Sequence, residues 1–174
     1  MLVNNLPDLL FDPQLISEEV SNALPEGYAI RPIARDDYSR GVLDVLRVLT
    51  TVGEISQSRW EEQFDYWKKH NDQYYTLVIT DKSEKVVAVG TILVERKLIH
   101  ECGLVGHIED IAVDKNQQGK KLGLRLINAL TAIGKDAGAY KVILDCSDHN
   151  VAFYEKCGYV RAGVEMSLKF AEQK

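Results

Sequence analysis

Hydrophobic and polar positions alternate along the chain with two periods, one typical of strands and one typical of helices. Runs of β-branched and aromatic residues predict strands at residues 28–33, 74–80, 86–94, 107–113 and 141–146. Apolar residues three or four positions apart predict helices that begin near Asp36, Ser56 and Leu122, and a short helix that follows Asn150. The segment at residues 159–170 is predicted to form one or two closing strands.

Residues 107–146 predict a β-α-β unit. A strand, a turn with Gly119 and Gly123, a helix that ends at Gly138 and a continuous apolar strand follow one another. Such a unit has parallel strands, a right-handed crossover and a second strand that is buried on both faces. Together with a hairpin at residues 81–85, it predicts the α/β class, with a mixed sheet of six or seven strands.

Composition predicts one globular domain with an acidic lead. The chain has 174 residues, of which 45% are apolar and 27% charged, and this balance excludes the disordered, collagen-like and disulfide-scaffold classes. Residues 1–26 contain no Lys or Arg, so they predict a tail beside a domain at residues 27–174. Five apolar residues of the tail can dock: Leu9, Leu10, Phe11, Leu15 and Ile16. The net charge is −5, but acids and bases balance from Arg31 onward, which disfavours binding to nucleic acid or anionic membranes.

The cysteines and histidines favour a reduced, metal-free protein in the cytoplasm. Cys102, Cys146 and Cys157 are odd in number and lack CxxC spacing. The four histidines lack the spacing of zinc ligands. The pattern also contains neither an apolar run long enough for a membrane span nor the basic start of a secretory signal.

An anion site is predicted between the strand at residues 107–113 and the next helix. Residues 118–123 read QGKKLG, and backbone N–H groups at the positive end of a helix can bind a pyrophosphate there. Four basic side chains lie nearby in sequence: Lys115, Lys120, Lys121 and Arg125. The spacing differs from that of ATP and dinucleotide loops. The alternative is that the glycines only permit a turn and close helix packing, while the lysines face solvent.

Residues 118–123 resemble the pyrophosphate loop, [Q/R]-x-x-G-x-[G/A], of the GNAT superfamily of acetyl-CoA-dependent N-acetyltransferases, with Lys121 at the position of the central glycine. Other segments resemble, within that superfamily, the family of glucosamine 6-phosphate N-acetyltransferases. They are FDP at residues 11–13, ERKLIH at 95–100, GHIEDIAV at 106–113, LDC at 144–146, NVAFYEKCGY at 150–159 and AGVEM at 162–166. The resemblance covers about residues 9–170.

The resemblance implies a fold, a reaction and an assembly. The implied fold is the GNAT fold, in which about four helices flank the mixed sheet. The implied reaction transfers acetyl from acetyl-CoA to the amine of glucosamine 6-phosphate without a metal, on the pathway to UDP-N-acetylglucosamine. The implied assembly is a homodimer with composite active sites, because the C-terminal strand of the enzymes it resembles exchanges between subunits.

Site residues are also implied by the resemblance. Glu109 is implied to be the general base, acting through water, and Tyr154 to donate a hydrogen bond to the departing thiolate, with Asp145 as the third catalytic residue. The implied cofactor-binding residues are Ile111, Ala112, Val113, Gln118, Gly119, Lys120, Lys121, Leu122, Gly123, Asn150 and Tyr154. The implied substrate-binding residues are Lys97, Leu98, Ile99, His100, Glu109, Asp110, Asp145 and Lys169.

Residue types alone leave other interpretations of these positions open. Glu109 and Asp110 can be a surface carboxylate pair, since neighbours in a strand point to opposite faces unless the strand bulges. Tyr154 can be a packing aromatic residue, Asn150 a helix cap and Asp145 a strand-end carboxylate.

Other functions stay open at the same level. Cys146 and Cys157 could suggest an acyl-carrying thiol, but no recognisable spacing places a base beside either, so we expect both to pack. A lone Lys169 near a C-terminus is usually solvated. The remaining alternatives are a GNAT enzyme for another amine or a protein lysine, and a non-catalytic acetyl-CoA-binding module.

Overall fold

The computed structural model describes residues 7–170, so the ends of the predicted tail and domain, residues 1–6 and 171–174, lie outside the described residues. The strands are β1 (Ala29–Pro32), β2 (Tyr74–Thr80), β3 (Val86–Arg96), β4 (Leu104–Val113) and β5 (Ala139–Ile143). The helices are α1 (Glu18–Asn22), α2 (Val42–Leu46), α3 (Gln57–Lys69), α4 (Ile99–Cys102), α5 (Leu122–Asp136) and α6 (Val151–Lys156). The chain divides into two compact units, with the boundary between Ile143 and Leu144.

The first unit is built on a mixed sheet with the order β1-β2-β3-β4-β5. The first three pairings are antiparallel and β4 pairs with β5 in parallel. This confirms the predicted mixed sheet, the hairpin between β2 and β3, and the parallel pair joined through α5. Helix α3 also begins where expected, since the Ser56 hydroxyl accepts a hydrogen bond from the Arg59 N–H at 3.2 Å.

The sheet has five strands within residues 7–170, fewer than the six or seven predicted. The difference lies at residues 159–170, which form no strand in the described structure. A strand requires a neighbour for its N–H and C=O groups, and alternation of side chains does not supply one. Five apolar side chains of this segment are 79–90% exposed: Val160, Val164, Met166, Leu168 and Phe170.

β5 differs from the predicted strand in both length and burial. It ends at Ile143 rather than at residue 146, and Tyr140 and Lys141 are exposed rather than buried. Because β5 pairs only with β4 in the described sheet, it is an edge strand. An edge strand does not have the neighbours on both sides that bury the interior strands of a parallel sheet.

Helix α5 packs closely on one face of β3 and β4. The buried residues of α5 include Leu126 and Leu130. Gly90 of β3 faces them, and a Cβ placed there would lie 3.1 Å from both leucine side chains and 2.4 Å from Ile111 Cδ1. The missing side chain at Gly90 therefore allows the helix to approach the sheet.

Part of the predicted tail packs into the first unit. Leu10 is fully buried, Phe11 is 5% exposed, and the Leu10 N–H donates to the Ile33 carbonyl at 2.9 Å. The Phe11 ring meets Tyr75 edge to face, with centroids 5.2 Å apart. The expected docking of these two apolar side chains is confirmed, whereas Leu15 remains 48% exposed.

A buried ion pair supports the start of the sheet. The Asp37 side chain is fully buried and accepts two hydrogen bonds from the guanidinium of Arg31, at 2.7 and 2.8 Å. Its Oδ2 also accepts the Ala34 N–H at 2.7 Å. Asp37 thus joins the end of β1 to the turn that follows, and the paired carboxylate raises the pKa of Arg31 against the opposing effect of burial.

None of the helices described within residues 7–170 is long and apolar enough to cross a membrane. The three cysteines are free thiols.

Candidate functional site

Strand β4 carries a bulge at the carboxylate pair. Val89 pairs with Ala112 and Thr91 with Glu109, so two residues of β4 oppose Gly90 alone. Asp110 has a φ of 56°, the left-handed region that aspartate tolerates better than most residues. Glu109 and Asp110 can serve one site only if the strand bulges, and this bulge is confirmed. Both side chains are exposed, while Ile111 turns toward α5.

A third carboxylate, Glu95, binds two groups, Lys97 and His107. Its Oε1 accepts a hydrogen bond from Lys97 Nζ at 2.9 Å, and its Oε2 lies 2.7 Å from His107 Nε2. The hydrogen bonds from Lys97 and from His107 lower the pKa of Glu95 from its ordinary value, so Glu95 is a carboxylate at neutral pH. A carboxylate only accepts hydrogen bonds, and His107 therefore carries its proton on Nε2.

The Glu95–Lys97–His107 cluster lies on the same face of the sheet as Glu109. Ile92 Cδ1 is the nearest atom to a Cβ placed at Gly106 or at Gly134 of α5, so Ile92 and Gly106 face the helix. Side chains alternate along a strand, which puts the odd-numbered positions of β3, and those of β4 before its bulge, on the opposite face. Thr91, opposite Glu109, is on that face as well and shares a hydrogen bond of 2.8 Å with Thr76.

Sequence reasoning missed Glu95 and His107 as members of this surface. The sequence could have shown that His107 shares a face with Glu109, because the two residues are two positions apart in a predicted strand. It could not show that Glu95 faces His107, because that contact depends on the register in which Glu95 pairs with Val105.

The segment predicted to bind substrate forms an unusual turn. Leu98 is 91% and Ile99 60% exposed, and the His100 ring lies 4.2 Å from that of Tyr140. His100, Glu101 and Cys102 have φ values of 51°, 58° and 62°, so α4 is a left-handed turn of non-glycine residues. Such residues cost about 1–2 kcal/mol each, and strained backbone of this kind concentrates at functional sites.

The predicted pyrophosphate loop is open for an anion. Gly119 has a φ of 84°, and apart from its own chain neighbours no atom of residues 7–170 lies within 4 Å of a Cβ placed on it. Lys121 has a φ of 60°. Lys121 therefore adopts the left-handed conformation that the family's glycine takes easily. Helix α5 begins at Leu122, and the side chain of its N-cap residue, Lys121, makes no capping hydrogen bond within the described part of the chain. The first N–H groups of the helix are therefore available to a phosphate.

Other members of the predicted cofactor set surround this loop in the first unit. Lys120 Nζ donates to the Tyr28 hydroxyl at 2.7 Å and to Gln117 Oε1 at 2.6 Å, two contacts that sequence reasoning did not find. Gln118 is exposed, Gly123 is half-buried, and Ala112 is buried between the half-buried Ile111 and Val113.

The second unit contains the remaining predicted residues. Tyr154 lies in α6, half-buried, with its ring 5.0 Å from Phe153 and 6.4 Å from Tyr159. Burial is the main cause that raises the pKa of Tyr154, so its hydroxyl keeps its proton throughout the neutral range. Asp145, Asn150 and Lys169 are exposed.

The cysteines of this unit differ from one another. Cys157 is half-buried, and burial raises the pKa of its thiol, which keeps it a poor nucleophile. Cys146 is exposed, so the expectation that it packs is wrong. It follows the end of β5, where the chain has already left the sheet.

No three His, Cys, Asp or Glu side chains of residues 7–170 are grouped so that they could hold a metal ion. Amide-forming acetyl transfer needs none, since a base, a polarised thioester and a proton for the thiolate are sufficient.

Comparison with known proteins identifies the class to which this fold and site belong. The model of the acetyltransferase (GNAT) family matches residues 29–159. The chain belongs to the GNAT family of acetyltransferases, which use acetyl-CoA as cosubstrate.

Three similar proteins carry the name glucosamine 6-phosphate N-acetyltransferase. The glucosamine 6-phosphate N-acetyltransferase of Candida albicans is 53% identical over 147 residues, which are 84% of this chain and 99% of that protein. Glucosamine 6-phosphate N-acetyltransferase 1 of Dictyostelium discoideum is 45% identical over 86% of this chain and 95% of its own length. The crystal structure of the Arabidopsis thaliana glucosamine-6-phosphate N-acetyltransferase matches with a TM-score of 0.82 and 35% identity, covering 84% of this chain and all of that one.

Proposed function

We propose that this chain transfers the acetyl group of acetyl-CoA to the amine of glucosamine 6-phosphate, giving N-acetylglucosamine 6-phosphate and CoA. The observation that carries the proposal is the 53% identity to the Candida albicans enzyme over 99% of that protein's length. The bulged carboxylate pair and the uncapped N-terminus of α5 support it, because they supply the anionic and the anion-binding groups that the reaction needs.

Acetyl-CoA binds, in this proposal, along the loop before α5. The pyrophosphate accepts hydrogen bonds from backbone N–H groups between Gln118 and Gly123, where the positive end of the helix favours an anion. The backbone from Ile111 to Val113 lines the thioester, and Asn150 contacts the pantetheine arm. The left-handed Lys121 fits this role, since binding of the phosphates relies on the backbone rather than on the side chain.

The carboxylates act on the sugar amine. The amine must lose a proton before it attacks the thioester, and Glu109 accepts that proton through a water molecule. Asp110 and Asp145 hold the amine-bearing end of the sugar. Tyr154 then donates a hydrogen bond to the thiolate as it forms, because burial raises the pKa of Tyr154 and so keeps its hydroxyl protonated.

The basic residues around α4 select the phosphorylated sugar. Lys97 and His100 contact the 6-phosphate and Leu98 and Ile99 the sugar. An amine substrate with additional positive charge, such as a polyamine, would instead require acids at these positions.

The first prediction is that release of CoA depends on the 6-phosphate. Charge-assisted hydrogen bonds to a phosphate contribute about 1.5–3 kcal/mol each, so unphosphorylated glucosamine should lose about 100-fold or more in kcat/KM. The measurement is thiol release with a panel of amino sugars, with and without the phosphate. Faster turnover of spermidine or of a lysine peptide would favour the second candidate, a GNAT enzyme for another amine.

The active site is also proposed to be shared between two copies of the chain. The exposed apolar side chains at residues 164–170 lack cover within the described chain, and a strand formed with a partner would bury them. In that homodimer, Lys169 reaches the sugar phosphate in the partner's site.

The second prediction tests this composite site by mixing two inactive variants. Chains with Lys169→Ala and chains with Glu109→Ala are expected to be inactive alone and to regain activity when mixed. One of the two sites in each heterodimer then keeps both intact residues. If native mass spectrometry detects heterodimers and activity does not return, the composite site is wrong.

We also propose that the enzyme acts in the cytoplasm, which suits the free thiols. The acidic lead at residues 1–26 is proposed to be an extension of the acetyltransferase domain at residues 27–174.

A further inference from the structure

The sheet face that carries Glu109 also carries an imidazole held by a carboxylate. His107 Nε2 donates to Glu95 Oε2 at 2.7 Å, and the second oxygen of the same carboxylate accepts the Lys97 ammonium at 2.9 Å. The Glu95 carboxylate therefore fixes the ring of His107 and selects which nitrogen carries the proton. An oriented base needs a proton acceptor and a second group that holds it in place, and here these are His107 and Glu95.

The geometry leaves the other nitrogen of His107 for proton transfer. With Nε2 as the donor, Nδ1 of the neutral ring is the acceptor. His107 and Glu109 are two residues apart on one face of β4, a spacing of roughly 7 Å along a strand, which one water molecule and the Glu109 side chain can span. His107 is half-buried, so its ring has access to solvent.

The sheet face around His107 carries charges of both signs. Glu95 from β3 and Glu109 from β4 supply negative charge, and Lys97 from β3 supplies positive charge. Lys141 of β5 pairs with Val105, which places it at the border of the same face. His107 therefore shares this face of the sheet with two carboxylates and with lysines.

We propose that His107 is a proton relay, positioned by Glu95, that takes from Glu109 the proton removed from the substrate amine and passes it to solvent. The inference rests on the proposed function. The substrate ammonium loses one proton to Glu109, which becomes neutral, and His107 Nδ1 accepts that proton through water. Glu109 returns to the carboxylate form, and the ring gives the proton to solvent. The second amine proton goes to the thiolate as the tetrahedral intermediate collapses.

The overall reaction releases one proton, and His107 is the proposed outlet for it. The ammonium form of the amino sugar and acetyl-CoA give the amide, CoA as a thiol and one free proton per turnover. A base that is not reset holds that proton and blocks the next amine, and His107 provides a route that does not depend on departure of the product.

The test compares His107→Gln with His107→Ala in the full chain, with glucosamine 6-phosphate and acetyl-CoA. Glutamine can still donate a hydrogen bond to Glu95 but cannot accept and release a proton. Both variants are expected to lower kcat about 10- to 100-fold, at or below the usual contribution of a proton-transfer group, with the KM for acetyl-CoA unchanged. Added imidazole is expected to raise the kcat of His107→Ala several-fold without affecting His107→Gln.

His70→Ala is the matched control, because His70 caps the end of α3 and lies in none of the proposed machinery. It should keep the wild-type kcat and show no response to imidazole. A wild-type kcat in His107→Gln would overturn the relay and show that the contact between His107 and Glu95 is only a structural hydrogen bond. A His107→Ala enzyme whose kcat imidazole does not restore would also overturn it. If the wild-type chain itself fails to acetylate glucosamine 6-phosphate, the proposed function fails instead, before any variant is compared.

Discussion

Replacement of Tyr154 by phenylalanine is expected to lower kcat about 100-fold, the usual effect of removing one hydrogen-bond donor that acts on developing negative charge. The partner of the hydroxyl becomes charged only as the thiolate forms, so the loss appears in kcat and not in ground-state binding. The dissociation constant for acetyl-CoA should stay within about twofold, since the ring and its contacts with Phe153 and Tyr159 remain.

Tyr159→Phe provides the control for this prediction. It removes a hydroxyl from the same aromatic cluster, 6.4 Å from the Tyr154 ring, and keeps the packing. Calorimetric titration with CoA separates binding from turnover in both variants. An unchanged kcat for Tyr154→Phe at saturating substrate would show that Tyr154 is only a packing aromatic residue.

Asp37→Ala is expected to cost about 3–5 kcal/mol of unfolding free energy, the usual result of removing one partner of a buried ion pair. The substitution leaves the Arg31 guanidinium and the Ala34 N–H without the fully buried carboxylate that accepts from both. A large share of the stability of a domain this size would be lost. Urea denaturation followed by tryptophan fluorescence measures the effect.

The matched control is Asp44→Ala, which breaks an ion pair of the same length, 2.7 Å, between Asp44 and Arg47. Both of those side chains are exposed, at 73% and 41%, so the expected cost is about 0–1 kcal/mol. Equal costs for Asp37→Ala and Asp44→Ala would show that burial does not strengthen the Asp37 interaction.

The parts of the fold that sequence predicted correctly are those in which local pattern and burial agree. Helix α5 follows from apolar spacing and ends before Gly138, whose φ is 92°. The bulge in β4 could be anticipated, because two adjacent carboxylates can serve one site only where alternation breaks. In each case the deciding interaction lies within one segment or between neighbouring strands.

The features that sequence did not predict depend on contacts between distant segments. The left-handed turn at α4 contains no glycine among its strained residues, so its composition gave no signal. The contact of Glu95 with His107 depends on the pairing register of β3 and β4. The burial of β5 was overestimated because an apolar run does not show whether a further strand covers it.

The most direct test of the proposed function is a competition between amines. Glucosamine 6-phosphate, glucosamine, spermidine and a lysine peptide are mixed at equal concentration with limiting acetyl-CoA, and the acetylated products are counted by mass spectrometry. The product ratio then reports the ratio of kcat/KM values. The account predicts N-acetylglucosamine 6-phosphate as nearly the whole product, and a majority of acetyl on any other amine would contradict it.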